Sequence, residues 1–314
     1  MILTVTVNAA LDVTYTVDRL APHTVHRVGT VAERAGGKGL NVARLLHVLG
    51  EPVTATGLAG GHTGARITQL LATDGVTEAF GGIAGESRRT VVVHSDGDAT
   101  GFWEPGPEVS NDEWSEFTTR FTDLLGHADV VTLSGSLPAG VPADGYATLV
   151  AAARQAGLPV VLDADGAPLR HGLTANPTVV KPNADELTAL IGHRPHGVDE
   201  TVAAASRLYT RHGSAVVASL GADGLIAVTA DGTWHAAAPA QSGNPTGAGD
   251  AVVAAVARGL RHGTPWPRLL ADAAALSAAT VRQPVAGAVD VTAYQRLRQD
   301  TVVTPLPSEQ GADT

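Results

Sequence analysis

The stretch "ADGYATLVAAARQAGLPVVLD" (143–163) joins two kinds of periodicity. Tyr146, Leu149, Val150 and Ala153 fall at helical spacing, whereas "PVVLD" (159–163) is a short, continuous apolar run rich in β-branched residues. The same alternation recurs outward in both directions. Strand-like runs appear at "ILTVTV" (2–7), "VTATGL" (53–58), "DVVTLS" (129–134), "TVVKP" (178–182) and "AVVASLG" (215–221), and "GLNVARLLHVLG" (39–50) is a second clear helix. Strands that are apolar on both faces, alternating with helices, belong to a parallel sheet covered on both sides. Gly50, Gly126 and Gly157 stand where helices end and are expected in the left-handed C-terminal position. The fold class is therefore α/β: one doubly wound, mostly parallel sheet with helices on both faces, formed by 1–11, 36–86 and 106–306.

Two segments break this rhythm. "DVTYTVDRLAPHTVHRVGTVAERAGG" (12–37) alternates with period two and holds no helix, and "SRRTVVVHSDGDATGFWEP" (87–105) reads as a hairpin turned at "SDGDA" (95–99). Alternation implies a sheet with one open face, so 12–35 and 87–105 are expected to form a small β-sheet lid on the main sheet. A bare lid would expose apolar surface, which predicts a homodimer clasped through it. The tail 307–314 is expected to be disordered.

Composition narrows the function classes. The chain has 314 residues, 44% hydrophobic but only 4% aromatic, so its core must be built mainly from Ala, Val and Leu. A formal charge of −10 argues against nucleic acid or an acidic membrane as partner. With no cysteine there is no disulfide, thiolate metal site or cysteine nucleophile. "MILTVTVNAALD" (1–12) lacks a basic leader region, and no run reaches the roughly 18 apolar residues of a membrane span. A soluble, cytoplasmic protein is expected. The twelve histidines are scattered; the nearest pairs, His23/His26 and His193/His196, have no carboxylate company and read as surface residues.

Chemistry is concentrated in two glycine-rich turns. In "GNPTGAGDAVVAA" (243–255), Gly247 and Gly249 let backbone N–H groups approach a ligand closely, and the apolar run that follows is a helix whose positive end faces them. Asp250 then reads either as a base accepting a hydroxyl proton beside that anion hole, or as a helix cap; this stretch alone leaves both open. The turn "AGGKGLNVARLL" (35–46) places three glycines in four residues around Lys38 and adds Asn41, whose amide can both donate and accept hydrogen bonds to hydroxyls. No G-x-x-x-x-G-K-[ST] is present, and Val42 and Val252 stand where a dinucleotide fingerprint needs its third glycine. A nicotinamide enzyme is disfavoured.

With "SGSLPAG" (134–140), "VKPNADEL" (180–187) and "SLGADG" (219–224) between them, these two turns resemble the ribokinase-like (PfkB) carbohydrate kinases over residues 1–306, in the branch of 1-phosphofructokinases and tagatose-6-phosphate kinases. The resemblance implies ATP and Mg²⁺. It makes Asp250 the catalytic base and the amides of Gly247, Ala248 and Gly249 the anion hole. It assigns Lys181, Asn183, Ser219, Gly221 and Gly224 to the nucleotide and Glu186 to Mg²⁺ through water. Asp12, Gly37 and Asn41 would bind sugar hydroxyls, and Lys38, Arg88 and Ser136 a phosphate already on the sugar.

Three positions depart from the pattern. Asn8-Ala9-Ala10-Leu11-Asp12 lacks the usual proline, Ser87-Arg88-Arg89-Thr90 lacks the usual Asn and Lys after the arginine, and Asn244 replaces a common Asp. The resemblance implies conversion of fructose 1-phosphate to fructose 1,6-bisphosphate, with tagatose 6-phosphate or fructose 6-phosphate as alternative acceptors. A silent sugar-phosphate sensor on the same fold is the reading from another class; retention of Asp250 speaks against it, since binding alone needs no base.

Overall fold

The alternation of strand and helix runs nearly the whole length of the computed structural model, which describes residues 1–95, 98–283 and 285–307. The first half contains β1 (Ile2–Thr6), β2 (Ala10–Thr16), β3 (Thr30–Gly36), α1 (Lys38–Val48), β4 (Val53–Gly60), α2 (Gly61–Thr73), β5 (Thr77–Glu78), β6 (Gly81–Ile83), β7 (Arg88–Ser95), β8 (Asp98–Trp103), α3 (Asn111–Leu125), β9 (Val130–Ser134) and α4 (Gly145–Gln155). There follow β10 (Val160–Asp163), α5 (Gly166–Thr174), β11 (Val179–Val180), α6 (Ala184–Ile191), α7 (Gly197–His212), β12 (Ala215–Ser219), β13 (Leu225–Thr229), β14 (Gly232–Ala237), α8 (Ala248–Arg261), α9 (Trp266–Val281), α10 (Val291–Asp300) and β15 (Val302–Leu306).

The large sheet runs β15-β14-β13-β12-β11-β10-β9-β1-β4-β5, with β6 also on β4. From β12 to β5 the neighbours are parallel. Alternate side chains feed two cores: Ile2 and Val130 join α1, α8 and α9 on one face, while Leu3, Val5, Val131 and Leu133 join α3, α4 and α7 on the other. That double burial is why these strands read as unbroken apolar runs. The antiparallel edge β13–β15 was not among the expected strands.

The lid is a separate four-stranded sheet, β3-β2-β7-β8, in which β7 and β8 form the expected hairpin. Asp96 and Gly97 of its turn, and 308–314 of the tail, lie outside the described residues. Gly50 and Gly157 are left-handed (φ 79° and 76°), but Gly126 is not: at φ −61° it continues the right-handed turn of α3. Among the described residues, no helix is long and apolar enough to cross a membrane.

Candidate active site

Parallel strands leave a crevice at their carboxyl ends, and the chemistry-bearing residues collect there. Asp163 closes β10, Lys181 follows β11, Ser219 closes β12, and Ser136 follows β9. Helix α8 points its first turn into the same space. Its N-cap, Gly247, is left-handed (φ 87°), and a Cβ there would lie 2.9 Å from Cβ of Ala286. Only glycine fits that turn.

Asp250 is the third residue of α8 and does not cap it; the helix has no side-chain cap. Its Oδ2 instead accepts a hydrogen bond from Nδ2 of Asn41 at 2.8 Å. Asp250 is 5% exposed. Burial first, then the nearby Asp163 carboxylate, raises it to about 6, against the pull of Asn41, Lys38 and Lys181. A base held near neutrality is suited to taking a hydroxyl proton. Of the expected anion-hole amides, Ala248 N–H is already committed to Pro245 O (3.1 Å) to close the turn. Gly247 and Gly249 N–H have no protein acceptor among the described residues. Lys181 Nζ stands 3.4 Å from where a Gly249 Cβ would be, so an ammonium borders the hole.

One carboxylate in this centre was missed from sequence. Asp163, buried, holds Lys38 Nζ at 3.1 Å and Lys181 Nζ at 3.2 Å with its Oδ1, while its Oδ2 is buried without a hydrogen-bond partner. The available signal was its place at the carboxyl end of a central parallel strand. Lys38 also approaches Glu186 Oε1 (3.6 Å). Burial would lower Lys38, but Asp163, Glu186 and Asp250 raise it. Its ammonium thus shares Asp163 with Lys181 and lies between that carboxylate and Glu186. Burial raises Glu186 too, against the attraction of Lys181 and Lys38.

Of the residues expected at the nucleotide, Asn183, Ser219, Gly221 and Gly224 line a cleft of about 610 Å³ together with Gly249 and with Ala274, Ala278 and Val281 of α9, whereas Lys181 is not in its lining. Lys181 is buried, not a solvated lysine. Asn183 does cap a helix: its Oδ1 accepts from the N–H groups of Asp185 and Glu186, and Glu186 Oε2 returns to Asn183 N at 2.8 Å. Only Nδ2 of Asn183 is left for a ligand, because α6 needs its first amides satisfied.

On the other side of Asp250, the lid contributes Asp12 and Arg88. Asp12 lies over the backbone of Gly36 next to Gly37, where any Cβ would collide with its carboxylate. Burial raises Asp12, opposed by Arg44, a hydrogen bond from Thr90, and Arg88 and Arg34. Arg88 Nε donates to Asn8 O (3.2 Å), and Asn8 Nδ2 donates to Ser136 Oγ (3.1 Å), so Arg88 and Ser136 are brought together through Asn8. Asn8 was also not singled out, although Asn8–Asp12 was recognised as a motif.

A model of the pfkB family carbohydrate kinases matches residues 2–292. The chain belongs to that family. As a carbohydrate kinase it uses ATP to phosphorylate a sugar. Phosphofructokinase-2 from Escherichia coli, in a complex with potassium, is 27% identical over 95% of this kinase and 98% of that chain, with a TM-score of 0.90. A protein from Thermotoga maritima described as a possible 1-phosphofructokinase is 26% identical over 98% and 99% of the two chains, TM-score 0.88. A ribokinase from Arabidopsis thaliana, complexed with ribose and ATP, shares the fold at 22% identity, 95% and 98% coverage and a TM-score of 0.76.

Proposed function

We propose that this kinase moves the γ-phosphoryl group of ATP to a free hydroxyl of a hexose phosphate, fructose 1-phosphate becoming fructose 1,6-bisphosphate. The observation that carries the reading is Asp250: a raised, buried carboxylate held by Asn41 from the sugar side and flanked by Gly249 and Lys181 on the nucleotide side. Asp250 accepts the hydroxyl proton as the sugar oxygen bonds to phosphorus, the bond from phosphorus to the β,γ-bridging oxygen breaks, and ADP leaves. The amides of Gly247 and Gly249 and the ammonium of Lys181 brace the transferring group. Asp12, Asn41 and the backbone at Gly37 hold the sugar; Arg88 and Ser136 take its existing phosphate, with Arg88 able to meet two oxygens at once.

Mg²⁺ fits the donor set. Among the described residues no three His, Asp or Glu side chains converge as a metal cage, but Mg²⁺ keeps most of its water and needs few protein ligands. The partnerless Asp163 Oδ2 and, through water, Glu186 would hold it. When bound it neutralises charge on the phosphates.

The lid supports a homodimer. Asp12, Thr90 and Trp103 lie opposite one another in register and therefore share the lid's open face, where Trp103 is 68% exposed. A second lid on that face would cover Trp103 and shut water from the sugar. Dependence on ATP accords with a cytoplasmic location. The test is ADP release on fructose 1-phosphate, fructose 6-phosphate, tagatose 6-phosphate and free hexoses with Mg²⁺. Fructose 1-phosphate is expected to give the highest kcat/KM, and preference for a free hexose would overturn the proposal.

A further inference from the structure

Asn41 can do its work at Asp250 in only one orientation. Its amide has a donor end and an acceptor end, and only the NH₂ end can meet a carboxylate. What fixes that orientation lies one turn further along α1. Arg44 Nη1 donates to Asn41 Oδ1 at 3.0 Å, and Arg44 Nε donates to Asp74 Oδ2 at 2.8 Å at the end of α2. Arg44 is 3% exposed, and residue 287 lies against its guanidinium. The backbone of Gly287 closes over the pair so tightly that a Cβ there would fall 2.9 Å from Asn41 Oδ1 and 3.0 Å from Arg44 Nη1.

We propose that Arg44 is a positioning residue for the base: anchored by Asp74, it pins the Asn41 amide with NH₂ toward Asp250, which keeps Oδ2 occupied and leaves Oδ1 for the sugar hydroxyl. Turned the other way, Asn41 would set its oxygen against a carboxylate and its NH₂ against a guanidinium. Burial and the neighbouring Arg34 lower Arg44 to about 10, so it is charged at neutral pH and can serve as the fixed point. The charged groups facing Arg44 are Arg34, Asp74 and Asp12; those facing Asp250 are Asp163, Lys38 and Lys181. Arg44 thus also faces a sugar-binding carboxylate, so loss of its charge has a second effect, on KM, separable from the first.

The inference rests on the kinase reading for its consequence but not for its geometry, and the experiment keeps the two apart. In Arg44→Met, kcat should fall by about 10- to 100-fold, the scale of a catalytic group displaced by roughly an ångström. Asn41→Ala should fall at least as far, and the double variant no further than Asn41→Ala alone. A merely structural arginine would give losses that multiply. Arg44→Lys keeps the buried charge without the fork, and carries the same cycle if Arg44→Met does not fold. The second readout needs no turnover: the side-chain NH₂ resonances of Asn41, assigned by their loss in Asn41→Ala, should be a single sharp pair in the wild type and shift or double in both Arg44 variants. Unchanged Asn41 resonances, or multiplicative losses in kcat, would overturn the proposal. A wild type inactive on every sugar would refute the kinase reading while the resonances still decide the role of Arg44.

Discussion

Asp250→Asn should abolish turnover and yet stabilise the protein. The carboxyl is raised from 3.8 to about 6 in the fold, so the folded protein binds its proton more tightly than the unfolded chain does. For an acid the sign is then fixed: stability falls as pH rises from about 4 to about 6, and above that the full cost of the buried charge is present. At about 1.4 kcal/mol per unit, the shift amounts to roughly 3 kcal/mol at pH 8, as an order of magnitude. Asparagine matches the carboxylate in shape, and its Oδ1 can still accept from Asn41 Nδ2, so the amide removes the cost without opening a cavity. The gain should shrink through pH 5 and vanish near pH 4. Urea unfolding of both proteins at pH 8, 5 and 4 measures the difference, and ADP release measures the loss of activity. A variant no more stable than the wild type at pH 8, or one that retains substantial turnover, would refute the assignment of Asp250 as a strained base.

Further outcomes follow from the same site. In the wild type, kcat/KM should fall about tenfold per pH unit below about 6, as Asp250 takes up its proton in the free enzyme; a flat profile down to pH 5 would exclude a base with that titration. Arg88→Ala should raise KM for a phosphorylated hexose far more than for a free one, and equal effects would remove Arg88 from the phosphate. Trp103→Glu should halve the particle mass seen by light scattering, since it places charge on the open lid face; an unchanged mass would put any dimer contact elsewhere.

Much of this was legible from local pattern. The central strands announced themselves because burial on both faces leaves no polar alternation, and the lid because its strands do alternate. The antiparallel edge was harder: β14, "GTWHAA", mixes polar and apolar residues, and β15 carries Pro305 and lies far from its neighbours in sequence. At the site, glycines revealed the two turns because close backbone approach demands them. Asp163 stayed hidden because an acid after a strand is ordinary in sequence; its importance comes from converging with Lys38 and Lys181, each on another element. Likewise Arg44 reads as one more polar residue on a helix until Asp74 and Asn41 are found at either end of its guanidinium. The pairing of Lys38 was hidden for the same reason, since its partner carboxylates, Asp163 and Glu186, lie over a hundred residues away.

The sheet order has a consequence for a chain still being synthesised. β1, which precedes every other strand in the sequence, takes a central place between β4 and β9, whereas the outermost strand beyond β14 is β15, laid down by residues 302–306. Until those residues leave the ribosome, β14 presents an open row of N–H and C=O groups, a template for pairing with a neighbour's strand. Once β15 docks, Pro305 leaves a missing donor on the finished rim, which hinders further strands from adding. A premature stop just before residue 302 should therefore yield a protein that clumps, although every residue of the catalytic crevice has already been made.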